Sequence, residues 1–469
     1  MMSETAEKQA GLQRKVPRSR MNRWSLGREQ RDSNDWRGTK MHYTQNQKLE
    51  QVTEKTLVIG VDIGSENHYA RAFNYRGIEY SQKAFKFANN AKGFEAFQGW
   101  MQGYVRMNGA KKVIVGFEPT GHYWYNLADY LKAQGIMFVM VAPQHVKHSK
   151  ELDDNTQRKD DHKDPKVIAK LVTEGRYIIP YVPEGIYAEL RTAYVRYCEL
   201  TETKVRLENR ITRWFDIYFP EYREVYRNPG AKTGMMVLRI APLPADVIKL
   251  GAEGINQLWR SAKVKAAGMK RAETLVAAAK QSTGRAGGDA VRRDLWQMLE
   301  EYELVTRHLA EIQAMLEELV AQINGAERLL RIKGIGFTTV AGFFAEVGDL
   351  SRFTDPKQIQ KLAGLSVVTP DSSGKHNGQS EISRRGRKRL RMILFRAAMS
   401  MVKSNKEMKS LHEYYTTREQ NPLKKMQSLM AIAGKIIRVF YGMMKNGTDY
   451  DPVRLLTDIR RPGKDKSAA

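Results

Sequence analysis

The sequence predicts a mixed α/β domain, a long helical region and a mainly α C-terminal domain, in that order. Three observations support this division. Short apolar runs alternate with helical repeats up to about residue 185, which is the pattern of strands and helices that share a core. From residue 186 onward, apolar residues recur every three or four positions, as expected of amphipathic helices. The 469 residues are enough for about three domains of ordinary size.

The composition indicates a phosphate-rich partner. Lys and Arg number 78 against 52 Asp and Glu, which gives a formal net charge of +26 and an isoelectric point near 9.8. A field of this sign attracts nucleic acid, although a basic protein without such a partner remains the alternative. Cys198 is the only cysteine, so an internal disulfide and a cysteine-based zinc site are both excluded.

No segment of the sequence suggests a membrane protein or a secreted protein. A run of about 18 apolar residues, the minimum for a spanning helix, is absent, and the N-terminus has no apolar signal core. We therefore expect a cytoplasmic protein with no membrane partner.

The two ends of the chain differ from the rest in composition. Residues 1–54 are polar and basic and have almost no aliphatic periodicity, so they are predicted to be a disordered extension. Contact with nucleic acid and an upstream extension of the reading frame both remain open, since Met21 and Met41 precede the first strand. Residues 451–469 are predicted to be a loose, polar tail.

Two predicted strands each end in an acidic residue. The apolar run of residues 57–61 continues into Asp62, and the run of residues 113–117 leads to Glu118. A bare carboxylate buried in such surroundings costs several kcal/mol unless it is paired, protonated or bound to a cation. Two acids at the ends of hydrophobic strands therefore indicate a metal site, although each acid could instead cap a strand or turn.

The order of elements over residues 55–185 predicts an RNase H/RuvC-like domain. Two strands in hairpin arrangement, with a turn near Arg76 and Gly77, follow the strand of Asp62, and then helices alternate with strands. This order places the ends of the first and fourth strands side by side. The helix between the third and fourth strands has apolar residues that we interpret as core rather than as base-stacking groups: Phe94, Phe97, Trp100, Met101 and Tyr104.

An acidic segment precedes the last predicted helix of this domain. Asp164 followed by Pro165 is typical of a helix start, with Asp as the cap and Pro at the first helical position. Asp161 lies three residues earlier and is close enough to share a site with Asp164. A simple capping role for Asp164 remains the alternative.

Residues 186–326 are predicted to be a coiled-coil or helical dimerisation region. A long helix over residues 186–219 ends at Pro220, and a second long helix begins near residue 292. Its apolar residues alternate in steps of three and four, as in a coiled-coil seam: Tyr302, Val305, Leu309, Ile312, Leu316, Leu319 and Ile323. An antiparallel hairpin, a dimer interface and a plain core helix all remain open.

Residues 327–450 carry two features typical of phosphate contact. Gly334 and Gly336 lie between two helical stretches, as in a helix-hairpin-helix, whose glycines expose backbone N–H groups to a DNA phosphate. Further along, Ser372 and Ser373 precede Gly374 and a run in which six of eight residues are Arg or Lys. The predicted nucleic-acid-binding residues are Lys333, Gly334, Gly336, Arg384, Arg385, Arg387, Lys388, Arg389 and Arg391.

A serine beside a glycine is normally a turn residue. In an enzyme that acts on phosphodiesters, a serine next to a dense basic segment is also a candidate nucleophile. Ser373 is the first choice because it directly precedes Gly374, and Ser372 is the second.

Residues 56–445 resemble the DEDD transposases of the Piv-type insertion-sequence family, which are bridge-RNA-guided recombinases. The first block of the resemblance is VDIG with Asp62, EPTG with Glu118, and a K-x-D-x-x-D helix entry with Lys159, Asp161 and Asp164. The second block is GIG, AGL, P-x-x-SG and ISRRGRKRLR. The chain departs from the family pattern at Pro165, where a small residue is usual, and at Lys375, where a second Gly is frequent.

The resemblance implies a transposase that joins strands of donor and target DNA. It implies a RuvC-like domain, a coiled coil and a transposase domain in a homo-oligomer, a dimer or a tetramer, with a guide (bridge) RNA encoded by the mobile element. It also implies that Asp62, Glu118, Asp161 and Asp164 hold Mg²⁺, with two ions expected, and that a serine attacks the phosphodiester. Carboxylate oxygens are ligands that Mg²⁺ prefers.

Two other functions are compatible with parts of the sequence. A RuvC-like structure-selective DNA nuclease would use the four acids, two metals and water, but it has no need of the segment around Ser373. A non-catalytic nucleic-acid scaffold would be indicated by the loss of one or more of the four acids, and all four are present.

Overall fold

The computed structural model describes residues 44–154, 164–228, 230–368 and 381–456. The chain divides into two compact units between Tyr181 and Val182. Residues 186–326 and 327–450, which were predicted to be separate domains, both lie in the second unit. Within the described ranges, every helix is too short or too polar to span a bilayer.

The first unit is a mixed α/β domain, as predicted. Its five-stranded sheet has the order β3-β2-β1-β4-β5, in which the first three strands pair antiparallel and β1, β4 and β5 pair parallel. In chain order its described elements are Gln45–Glu50 (α1), Thr56–Asp62 (β1), Asn67–Phe73 (β2), Phe85–Ala88 (β3), Ala91–Met107 (α2), Lys112–Phe117 (β4), Tyr125–Ala133 (α3), Met137–Met140 (β5), Pro143–Asp154 (α4) and Asp164–Thr173 (α5).

Burial on both faces explains the apolar composition of the central strands. β1 is the central strand, with an antiparallel neighbour in β2 and a parallel neighbour in β4, and it is buried along its length up to Val61. Helix α2 packs its aromatic residues on the edge strand, with the rings of Phe97 and Phe87 stacked 4.4 Å apart between centroids. Phe94, Phe97 and Met101 are buried, which confirms that these residues belong to the core.

Helix α1 corrects the prediction that residues 1–54 are disordered throughout. Thr44 and Gln47 form a capping box at its start, which satisfies backbone N–H groups that a short helix otherwise leaves open. Lys48 Nζ donates to the Tyr177 carbonyl at 2.6 Å, and the Tyr177 hydroxyl donates to the Lys48 carbonyl at 3.0 Å. The helix is too short for its periodicity to be visible in the sequence, and contacts from distant residues stabilise it.

The second unit is mainly helical, as predicted. Besides a short 3₁₀ helix at Leu350–Arg352, its described elements are Ile186–Tyr218 (α6), Tyr222–Val225 (α7), Lys232–Leu238 (α8), Pro244–Ser261 (α9), Met269–Lys280 (α10), Asp289–Ala321 (α11), Ala326–Leu330 (α12), Phe337–Val347 (α13), Pro356–Ala363 (α14), Val367–Val368 (β6), Glu381–Ile382 (β7), Lys388–Ser404 (α15), Lys406–Thr417 (α16), Lys425–Asn446 (α17) and Pro452–Leu455 (α18).

The two long helices, α6 and α11, pack antiparallel within one chain. Trp214, near the end of α6, donates from Nε1 to the Val291 carbonyl near the start of α11 at 3.2 Å. Closer to the middle of both helices, the Tyr302 hydroxyl donates to Glu208 at 3.4 Å. Tyr302 and Val305 of the predicted seam are buried in this core. The seam therefore contacts the same chain, and a coiled-coil dimer interface stays a prediction.

A second core lies among the helices that follow α12. Phe343 of α13 and Phe440 of α17 are fully buried, and their rings meet edge to face with centroids 5.1 Å apart. At the C-terminus, Asp451 caps α18 and Leu455 is buried. The predicted loose tail, residues 451–469, therefore begins with a packed turn of helix.

Candidate active site

Asp62 and Glu118 lie at the same end of the sheet. Val61 of β1 and Phe117 of β4 are partners in a parallel pair, so Asp62 and Glu118 follow at matching positions on adjacent strands. Adjacent strands are about 4.8 Å apart. Both acids are half-buried, so both are partly screened from solvent while remaining reachable. The ends of these two strands are therefore adjacent, as predicted.

Two glycines bring α5 against the same strands. Gly60 and Gly116 are register partners on β1 and β4. A Cβ on Gly60 would lie 1.8 Å from the Pro165 carbonyl oxygen, and a Cβ on Gly116 would lie 2.4 Å from a Val172 methyl group. Only glycine permits so close an approach, of the Pro165 backbone at Gly60 and of the Val172 side chain at Gly116. The start of α5, which is Asp164, therefore lies beside β1, close to the residue two positions before Asp62.

This packing predicts a stability effect. We expect Gly60→Ala to lower the free energy of unfolding by about 1–3 kcal/mol, because the added methyl group overpacks the contact with Pro165. The matched control is Gly99→Ala in α2, where a Cβ would meet nothing within 4 Å and where Ala should raise stability by about 0.5–1 kcal/mol. Urea unfolding of both variants measures the difference. Equal stability of the two would contradict the close approach of α5.

The turn that follows Asp62 is held by a buried histidine. A Cβ on Gly64 would lie 2.3 Å from the Asn67 carbonyl oxygen, so the turn is tight. The Gly64 N–H donates to His68 Nδ1 at 3.3 Å, and the His68 ring packs against Phe87 and Phe94. Burial lowers the pKa of His68, and its interaction with Asn89 opposes that shift. A neutral ring that accepts at Nδ1 carries its proton on Nε2.

The four acids predicted to hold metal are only partly within the described ranges. Asp62, Glu118 and Asp164 are described, whereas Asp161 and Lys159 lie outside. Among the residues that the structure describes, no three His, Cys, Asp or Glu side chains are grouped closely enough to hold a metal ion. The donor set itself fits Mg²⁺, since carboxylate oxygens are the hard ligands that this ion takes.

The glycine pair of the predicted helix-hairpin-helix has two different surroundings. Gly334 has a φ of +93°, and a Cβ there would lie 2.5 Å from Ser404 Oγ of α15. Gly336 caps α13, and a Cβ there would meet nothing within 4 Å. Conformation and packing thus account for Gly334, while Gly336 and the neighbouring Lys333 are exposed. A contact of this turn with DNA stays a prediction.

Two cations of the predicted basic segment pair with a buried acid, Glu346, which was not among the predicted site residues. Glu346 is only 5% exposed, and its carboxylate is 3.6 Å from Arg387 Nη1 and 3.5 Å from Arg389 Nη1. Arg391 Nη1 donates to the Ala363 carbonyl at 2.9 Å. The signal in the sequence is that Glu346 is the one charged residue of α13.

Three other cations of the segment, Arg384, Arg385 and Lys388, are exposed. Arg384 has a φ of +52°, a left-handed conformation that is costly for a residue with a side chain. Its N–H donates to the Gly364 carbonyl at 3.1 Å. A Cβ on Gly386 would lie 2.4 Å from the Gly364 nitrogen, so the glycines of the AGL and RRG motifs pack on each other.

The candidate nucleophiles lie outside the described residues. Ser372 and Ser373 belong to residues 369–380, which separate β6 from β7. Those two strands pair antiparallel, with Val368 opposite Glu381. The two points at which this segment leaves and rejoins the described chain are therefore adjacent.

Comparison with known proteins assigns the chain to a family. Residues 59–220 match a DEDD transposase model, and residues 326–413 match the model described as transposase IS116/IS110/IS902 family. The chain is 24% identical over 301 residues to the insertion element IS116 uncharacterized 44.8 kDa protein of Streptomyces clavuligerus, which covers 64% of this chain and 74% of that protein.

Two further relatives agree with this assignment. The insertion element IS900 uncharacterized 42 kDa protein of Mycobacterium paratuberculosis is 22% identical over 296 residues, covering 63% of this chain and 73% of that protein. The pilin gene-inverting protein of Moraxella bovis is 29% identical over 153 residues, covering 31% of this chain and 47% of that protein. The first matched range includes Asp62 and Glu118, and the second includes Glu346 and the basic segment. The chain is therefore a DEDD transposase of the IS116/IS110/IS902 family, an enzyme that transposes DNA.

Proposed function

We propose that this transposase cleaves and rejoins DNA strands between a donor and a target through metal-assisted attack by a serine, under the guidance of an RNA encoded by its insertion sequence. The observation that supports the catalytic part most strongly is the register of β1 and β4, whose adjacent ends carry Asp62 and Glu118. Acids held on neighbouring strands of a rigid sheet keep their spacing during a reaction.

The metal site of this proposal comprises Asp62, Glu118, Asp161 and Asp164, with two Mg²⁺ ions. Bound Mg²⁺ would stabilise the charge that develops on the attacking and leaving oxygens of a phosphoryl displacement. The acids themselves supply the hard oxygen ligands. The close contact of Pro165 with Gly60 supports a shared position for Asp164 and Asp62, since each lies within two residues of that contact.

The nucleophile of this proposal is Ser373, with Ser372 as the alternative. Its hydroxyl oxygen gives up its proton and forms a bond to the scissile phosphorus, the bond from phosphorus to the leaving deoxyribose oxygen breaks, and the leaving oxygen takes up one proton. The resulting phosphoserine ester retains the bond energy that rejoining requires, so no ATP is needed. The antiparallel pairing of β6 and β7 supports this role, because it anchors both ends of the serine segment in the second unit.

An RNA guide would leave base pairing to choose the DNA sequence. The protein then needs to bind duplex shape and backbone, a task suited to Arg and Lys. The net charge of +26 supports such binding to donor DNA, target DNA and guide RNA.

Because two DNAs must be held together, we propose that the active form is a homo-oligomer, a dimer or a tetramer. We place it in the bacterial cytoplasm, associated with the nucleoid.

The guide is tested by co-purification. The protein is isolated from cells that carry the whole insertion sequence, its bound RNA is sequenced, and strand exchange is assayed with and without that RNA. We expect one discrete RNA to be enriched and recombination to depend on it. Recombination of equal rate after complete RNase treatment would contradict the guide and leave the proposed chemistry standing.

The exposed part of the basic segment should control how DNA affinity depends on salt. Replacing Arg384, Arg385 and Lys388 by Gln should reduce the slope of log affinity against log salt concentration by about 2–3 units, since each phosphate contact contributes roughly 0.9 on duplex DNA. Fluorescence anisotropy at several salt concentrations measures the slope.

The matched control for this variant removes three exposed lysines elsewhere in the second unit. Lys265, Lys270 and Lys280 are exposed on and beside α10, and replacing them by Gln lowers the net charge equally. If this control changes the slope as much as the Arg384, Arg385 and Lys388 variant does, binding is not localised to the basic segment.

A further inference from the structure

One side chain links the two loops that leave the acid-bearing strands. Asn89 Nδ2 donates to the Ser65 carbonyl at 3.2 Å and to the Tyr123 carbonyl at 3.3 Å. Its backbone N–H also donates to the Glu66 carbonyl at 2.8 Å. Ser65 lies three residues after Asp62, and Tyr123 lies five residues after Glu118.

These hydrogen bonds lie beyond the last residue pair of β1 and β4. The pairing of β1 with β4 ends at Val61 and Phe117, one residue before each acid. Beyond that point the segments that follow β1 and β4 enter different loops, and Asn89 connects these loops by hydrogen bonds. The connection fixes the far side of each loop, while the sheet fixes the near side, so both acids lie between two anchored points.

The loop after Asp62 has a second internal support on the same side. His68 is completely buried, and its Nδ1 accepts the Gly64 N–H. The ring is stacked 6.2 Å from Phe94 between centroids, which ties the turn to α2. Asn89 directly precedes Asn90, the residue that caps α2. The contacts of this loop therefore converge on the junction between β3 and α2.

We propose that Asn89 is a positioning residue that sets the separation of Asp62 and Glu118 and so the affinity of the site for a divalent cation. This inference rests on the proposed metal site. An amide is suited to the task because one NH₂ group donates to two carbonyl groups at once. A carboxylate of the same shape has no hydrogen-bond donor, and its negative charge would repel the partial negative charges of both carbonyl oxygens.

The test compares two variants that differ by one position. Asn89→Asp keeps the shape of the side chain and removes both donors. Asn90→Asp adds the same charge at the next position but preserves the helix cap. The cap is the hydrogen bond from the Gly93 N–H to Asn90 Oδ1, at 2.9 Å, and an Asp oxygen accepts such a bond as well as an Asn oxygen does. Binding of Mn²⁺ to the protein alone is measured by isothermal titration calorimetry, and thermal unfolding establishes that each variant is folded.

We expect Asn89→Asp to weaken Mn²⁺ binding by about tenfold or more, in the range found when groups that orient metal ligands are removed. Asn90→Asp should bind within about twofold of the unmodified protein. The Mn²⁺ concentration for half-maximal DNA cleavage should rise by the same factor as the dissociation constant. The cleavage rate at saturating Mn²⁺ should fall by a smaller factor than this. Asn89→Ala, which removes both donors without adding charge, should behave like Asn89→Asp.

Asp62→Asn separates failure of this inference from failure of the metal site. If Asp62→Asn weakens Mn²⁺ binding but folded Asn89→Asp and Asn89→Ala bind as the unmodified protein does, Asn89 has no positioning role and the metal site stands. If Asp62→Asn also binds Mn²⁺ normally, the proposed metal site itself is wrong.

Discussion

Asp62→Asn is expected to slow DNA strand cleavage on the order of 10³-fold, since a lost metal ligand removes several kcal/mol of transition-state stabilisation. DNA affinity should stay nearly unchanged, because we propose that it comes from Arg and Lys elsewhere in the chain. The side chain of Asn matches that of Asp in shape, so the packing at the end of β1 is preserved. A cleavage assay with Mg²⁺ and an anisotropy measurement of DNA binding give the two quantities.

The control for this variant is Asp129→Asn. Asp129 is an exposed acid of α3, so its replacement makes the same change of charge away from the strand ends. It should cleave DNA at the rate of the unmodified protein. Recombination at the unmodified rate by Asp62→Asn would rule out a catalytic metal at this position.

Ser373→Ala is expected to hold uncleaved DNA in an otherwise intact complex, with cleavage reduced on the order of 10³-fold or more, as for loss of other nucleophiles. Ser373 is the first candidate because it directly precedes Gly374 in the sequence, and a glycine has no side chain to hinder a phosphate. A serine is a weak nucleophile at neutral pH, and in the proposed mechanism the proposed metal site of the four acids would activate it. Native gels report the complex, and denaturing gels report cleavage.

Ser372→Ala serves as the adjacent control and tests the register of the assignment. It should cleave DNA at close to the normal rate. If Ser372→Ala is inactive and Ser373→Ala is active, the nucleophile is Ser372 and the remaining proposal is unchanged.

The sheet of the first unit was predictable because its signals are local. Apolar runs ending at Asp62 and Glu118 identify strands, and the order of strands and helices is that of one known architecture. The close approach of α5 was not predictable, although Gly60 and Gly116 are visible in the sequence. These two glycines are partners because of the register between strands more than 50 residues apart. Composition and periodicity carry no information about that register.

The basic segment shows the same limit. From sequence, all six cations are equivalent members of a binding surface. Arg387 and Arg389 instead pair with Glu346, which is 41 and 43 residues away, and a buried acid requires such partners. Asn89 likewise has no sequence signal for its proposed role, since its partners Ser65 and Tyr123 come from two separate loops.

The most direct test of the central claim is to trap the reaction with labelled DNA and map any protein–DNA linkage by mass spectrometry. The account predicts a DNA-linked peptide whose attachment is Ser373, or Ser372 if the register differs by one residue. Asp62→Asn should give no such peptide. Free hydrolysed DNA ends without a protein adduct, together with full activity of the Ser372→Ala/Ser373→Ala double variant, would contradict the account and indicate a nuclease that uses water.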